Sequence, residues 1–206
     1  PDYLAVGSDA DFLLVPLGLG AALEVAGALG FTLPTRRIVD AIHDQASVRL
    51  APLPLPAGDE MRSTAYVQRH NAMVLAQRAR VHAPAAALVA GQKKDLVLTR
   101  LLWSHPGRVA IYGWHRLDGS AIQPLSIVHG ARYADYSHGV RLVSDVAFVD
   151  GRPMALSSLL RDPAAALALS DEGTIAPPAE WRSMVAADAS GRAQLAHPQG
   201  CRPPCA

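Results

Sequence analysis

Between residues 103 and 141 the chain gathers Trp103, His105, Tyr112, Trp114, His115, His129, Tyr133, Asp135, Tyr136, His138 and Arg141. That window holds four of the eight histidines, three of the five tyrosines and two of the three tryptophans. Imidazoles shuttle protons near neutral pH, a carboxylate orients them, and flat polar rings pack against a ligand while their tips hold it in place. Polar aromatics crowded into an otherwise Ala/Leu/Val-rich chain therefore point to a binding cleft with acid–base capacity. His129, His138 and Asp135 are the candidate catalytic group. Tyr112, His115, Tyr133, Tyr136, Ser137 and Arg141 are candidate substrate contacts, with Arg141 suited to a carboxylate. Lys94, in Gly91-Gln92-Lys93-Lys94-Asp95, is placed to hold an anionic group where a strand begins. His115, His129, Asp135 and His138 are also the right types for a catalytic zinc, which takes three protein ligands and a water, so zinc is a possible cofactor.

These side chains need elements to carry them. Tyr3 to Val6 and Phe12 to Val15 flank Gly7-Ser8-Asp9-Ala10-Asp11 and read as a hairpin. Helices are expected over 17–29, over 36–47 with Thr35 as N-cap, over 63–80, and over 155–160. A proline-rich stretch, 51–56, separates two of them. From Asp95 the pattern turns extended. Strands are expected at 96–98, 109–114, 122–128, 140–144 and 146–149, with turns at Pro106-Gly107, Asp118-Gly119 and Asp150-Gly151. Helices followed by strands make this an α+β chain, its N-terminal helical half packed on a mostly antiparallel sheet. Residues 1–173 form the domain, and 174–206 read as an Ala/Pro-rich tail. If 133–141 is extended, Tyr133, Asp135, Ser137 and Arg141 share one face and Tyr136 and His138 the other. Pairing of the 109–115 and 122–128 runs should bring His138 back beside the second of them, close to His129.

The run His129-Gly130, then Ser137-His138-Gly139-Val140-Arg141, resembles the signature of L,D-transpeptidases of the YkuD type, enzymes that cross-link peptidoglycan peptides through a cysteine. Val140 stands where that cysteine would be. The resemblance implies a cell-wall substrate, a peptidoglycan peptide or glycan, and a secreted or periplasmic location. Cys201 and Cys205, four apart at the C-terminal end, could close a small disulfide in such a compartment. A hydrolase or transferase-like enzyme on a polymeric or peptide substrate is the leading reading, and a non-catalytic carbohydrate- or peptidoglycan-binding module is the alternative. Nineteen basic against eighteen acidic residues and 5% aromatics give no support to a nucleic-acid partner. No apolar run is long enough to span a membrane.

Overall fold

A computed structural model describes residues 2–189. Its first element follows from turn chemistry. The Ser8 backbone N–H donates to the Asp11 carbonyl at 2.8 Å, and Ser8 Oγ accepts from the Asp11 N–H at 3.2 Å. This reversal folds β1 (Ala5–Gly7) antiparallel onto β2 (Phe12–Leu14), as expected. Next comes α1 (Leu19–Ala28), stopped at Gly30 in a left-handed conformation with φ +75°. β3 (Phe31–Thr32) leads to α2 (Arg36–Gln45), where Thr35 Oγ1 accepts from the Ile38 N–H at 3.2 Å. That bond satisfies one of the orphan donors of the first turn.

β4 (Val48–Arg49) precedes the proline-rich stretch and a short 3-10 turn at Asp59–Arg62. Ser63 then caps α3 (Thr64–Arg80) through the Tyr66 N–H at 3.2 Å. The chain continues through β5 (Val89–Ala90), parallel to β4, then β6 (Lys94–Leu96), β7 (Ile111–His115), β8 (Ala121–Ser126) and β9 (His138–Gly139). β10 (Val143–Ser144) pairs back with β3, and β11 (Val146–Val149) with β12 (Arg152–Ala155). Short helices α4 (Leu156–Leu159) and α5 (Ala166–Leu169) precede α6 (Ala179–Ala189).

The main sheet runs β8-β7-β6-β9, antiparallel across β8, β7 and β6, with β9 parallel to β6 at its edge. The chain is α+β, with helices before the sheet in sequence as expected. Leu96, Val97, Ile111 and Val140 meet Leu19, Leu33 and Val39 in the principal core.

Two expectations are corrected. His138 does not return beside β8; it pairs with Lys94 of β6 instead. Nor is 133–141 extended throughout. Strand begins only at His138, because the Asp135 carbonyl accepts from the His138 N–H at 3.0 Å and closes a turn.

The C-terminal boundary also moves. Ile175, Trp181 and Val185 are 2–3% exposed and belong to the principal core. Trp181 meets Trp103 edge-to-face at 4.7 Å. Trp181 and Val185, one helical turn apart, share the side of α6 that packs in the core, so few large residues anchor an Ala-rich helix. Residues 174–189 are therefore part of the domain. Cys201 and Cys205 lie outside the described residues. Trp181→Ala is expected to cost about 3–5 kcal/mol of stability, the range for emptying an aromatic core site. Urea denaturation reads this directly, and an unmoved midpoint would return the segment to a tail.

Candidate functional site

The edge of the sheet formed by β6 and β9 carries the cluster. Lys94 is in register with Gly113 on one side and His138 on the other. A bulge between Ile111 and Gly113 carries the chain through two successive positive φ values, +99° at Gly113 and +54° at Trp114. A bulge re-aims the side chain that follows it. Here the Trp114 indole turns inward, its Nε1–H donates to the Gln92 carbonyl at 3.2 Å, and its face lies 4.9 Å from the Lys94 ammonium. Gly139 serves a close approach. A Cβ there would meet the Tyr3 ring at 2.5 Å and Lys93 Cβ at 2.8 Å.

The turn before β9 holds Asp135. Its Oδ1 accepts from the Ser137 N–H at 2.8 Å and the Ser137 hydroxyl at 2.6 Å, and its Oδ2 accepts from the Tyr133 hydroxyl at 3.0 Å. His138 Nε2 stands 3.8 Å from Oδ2, an electrostatic neighbour beyond hydrogen-bond reach. His129 stacks on Tyr133 with ring centroids 4.0 Å apart and 7° between planes. The His138 ring is 6.0 Å from His129 and 5.6 Å from Tyr133. The three residues expected to act together, His129, Asp135 and His138, thus do converge, along with Tyr133 and Lys94. Accessibility divides them. His138 is 1% exposed and both its ring nitrogens are enclosed without a partner. His129, Tyr133 and Lys94 are only partly buried and form the face that a ligand would meet.

The electrostatics follow from burial. Desolvation pushes His138 down to about 4, against Asp135 and with help from Lys94, His129 and Lys93. Burial also lowers His129, opposed by Asp135 and reinforced by Lys94 and Arg108. Burial works to raise Asp135, but the nearby His138 and the bonds from Ser137 and Tyr133 hold it below the ordinary carboxylate value. With His138 neutral at physiological pH, those hydrogen bonds are what keep Asp135 ionised. Burial, then the Asp135 charge, raises the Tyr133 phenol to about 12, so it stays a donor. Burial lowers Lys94 as well, partly countered by Asp135.

The remaining candidates go elsewhere. Tyr112 and His115 form a second cluster, donating to Asp40 Oδ1 at 2.8 and 3.0 Å, with His43 stacked on His115 at 4.6 Å. Tyr136 is buried, and its hydroxyl accepts from the Leu55 N–H at 2.7 Å and donates to the Leu55 carbonyl at 3.2 Å. Arg141 is 4% exposed and held by Asp95 and the Val89 carbonyl, so it is not presented to a substrate. Ser137 is fully buried and serves Asp135. Among the described residues no group of three His, Cys, Asp or Glu side chains is arranged to hold a metal ion. His115 stands with Asp40 and His43 rather than with His129 and His138, so the zinc ligand set does not assemble.

Lys93 and His70 escaped sequence reasoning. The Lys93 ammonium donates to the Tyr136 carbonyl and lies 3.2 Å from His70 Nδ1, bracing the Asp135 turn from behind. Burial lowers Lys93 to about 8 and, with Lys93 beside it, lowers His70 to about 3. Successive residues of an extended chain point to opposite sides, so Lys93, just before β6, faces away from Lys94, and this alternation was the one signal in the sequence.

Two neutral buried imidazoles make stability depend on acid. In the unfolded chain His70 and His138 protonate near 6.5; in the folded protein they do so only near 3 and 4. The unfolded chain therefore binds more protons across that window, and stability, complete above 6.5, falls as the pH drops through it. Buried Asp2 and Asp95, raised from their ordinary value, oppose the trend at its acid end. The expected loss between pH 7 and pH 4.5 is on the order of a few kcal/mol, from about 1.4 kcal/mol per unit for each group. Urea midpoints at the two pH values test it, and equal stability would contradict the buried, neutral assignment.

The chain matches no protein-family model, no curated protein and no solved structure.

Proposed function

We propose that this protein is an enzyme that cleaves a cell-wall polymer, a peptidoglycan peptide or glycan, by general acid–base chemistry centred on His129. The observation that carries the reading is the stack of a reachable imidazole on Tyr133, beside an ionised Asp135 and the ammonium of Lys94. A neutral His129 takes a proton from an attacking water. The resulting imidazolium is stabilised by Asp135 and returns the proton to the leaving group. Lys94 faces the charge that develops on the substrate oxygen. His138, enclosed behind the stack, keeps the floor of the site apolar and uncharged while it remains neutral. The choice of polymer rests on the resemblance of His129-Gly130 and Ser137-His138-Gly139-Val140-Arg141 to the L,D-transpeptidase signature. Val140 is fully buried in the core and carries no nucleophile, so direct attack by water replaces a thioester route.

The enclosure of both His138 nitrogens favours one competing reading, a module that binds the same polymer without turning it over. Incubation with purified peptidoglycan separates the two. Soluble fragments should appear with the intact protein and not with His129→Ala, while both sediment with the polymer. Sedimentation without fragments would make the protein a binding module.

A further inference from the structure

Three basic side chains border the His129–Tyr133 stack. The Arg62 guanidinium lies 5.5 Å over the Tyr133 ring, and the Lys94 ammonium lies 4.9 Å over Trp114, on the strand that pairs with His138. Arg108, bridged to Gly130 through the backbone, donates to the Val128 carbonyl just before His129. Asp135, the acid within the stack's own cluster, is 1% exposed and already accepts three hydrogen bonds. Neither Arg62 nor Lys94 has an ion pair or a side-chain hydrogen bond among the described residues. Three other cations are ion-paired, Arg36 with Asp171, Arg78 with Asp2 and Arg141 with Asp95, and the buried Lys93 ammonium donates to the Tyr136 carbonyl. Lys94 is half-buried against the Trp114 face, where a charge without an ion-pair or hydrogen-bond partner is costly. A positive rim around a partly desolvated base is complementary to an anion.

Resting on the acid–base reading of this site, we infer that its substrate carries a carboxylate, which Lys94 and Arg62 hold beside His129. Arg62, set on the 3-10 turn before α3, takes the role that the sequence assigned to Arg141. A carboxylate there would also favour the imidazolium form of His129, so binding should raise the pH at which His129 titrates.

The test uses N-acetyl-alanyl-alanine and its C-terminal amide, which differ only in that charge. NMR signals of the His129 ring follow each titration. The acid should shift them saturably and move the His129 titration to higher pH, and the amide should do neither. Arg62→Gln combined with Lys94→Gln should weaken binding of the acid at least about tenfold, the scale of one lost charge-assisted contact. The exposed Arg152→Gln, on β12, should leave it unchanged. Equal shifts from acid and amide, no shift from either, or binding that survives the double substitution would each overturn the inference. Fragment release from peptidoglycan by the double variant at the intact rate would reject the carboxylate clamp and the part given to Lys94 in turnover, and leave His129 standing as the base.

Discussion

Arg141→Ala is expected to destabilise the protein by about 3–5 kcal/mol, the cost of removing one partner from a buried ion pair. The guanidinium Nε donates to Asp95 Oδ1 at 3.2 Å, a terminal nitrogen donates to the Val89 carbonyl at 2.9 Å, and the group lies 3.9 Å over the Tyr3 ring. Tyr3 in turn donates to Asp95 Oδ2 at 2.8 Å. Alanine would leave the Asp95 carboxylate buried with a single neutral donor. Lysine should recover little, because a point charge cannot reach both Asp95 and the Val89 carbonyl from one position. Urea denaturation checks this, with the exposed Arg152→Ala expected to stay within about 0.5 kcal/mol. Weakened ligand binding at unchanged stability would instead place Arg141 in a substrate site.

His129→Ala should lower turnover by about 10²–10⁴-fold, the usual worth of a general base, with little loss of stability because the ring is only partly buried. The pH profile should be bell-shaped. Activity rises as His129 loses its proton, at a pH below the ordinary 6.5, and falls as Lys94 loses its own, below the ordinary 10.5. Tyr133→Phe should cost less. It keeps the ring on which His129 stacks and removes only the hydroxyl that donates to Asp135.

The features legible in the sequence were those decided within a few residues. Thr35 caps α2 through a bond to a residue three positions on. At the β7–β8 reversal, Asp118 Oδ1 accepts from the Ser120 N–H at 2.8 Å and Gly119 supplies φ +87°, so the turn dipeptide foretold the hairpin. The strand β9 was not legible. It is two residues long and its partner Lys94 lies far away in sequence, so no local pattern could give its register. The convergence of His129, Asp135 and His138 was anticipated, yet through pairing with β8 that does not form. What brings Asp135 to His138 is the turn that the assumed alternation left out. α6 was missed because its composition is Ala-rich, whereas its packing depends on the spacing of Trp181 and Val185. The burial of Lys93 and Arg141 depends on partners supplied by α3, β6 and the N-terminal segment, which only tertiary structure brings together.

The most direct measurement compares two midpoints in one buffer: the acid limb of fragment release from purified peptidoglycan, and the titration of the His129 ring followed by NMR. If His129 is the base, the two coincide below pH 6.5. Any residual activity of His129→Ala would then lack that limb. Midpoints that differ, a limb that survives the substitution, or no fragments at any pH would contradict an enzyme built on His129.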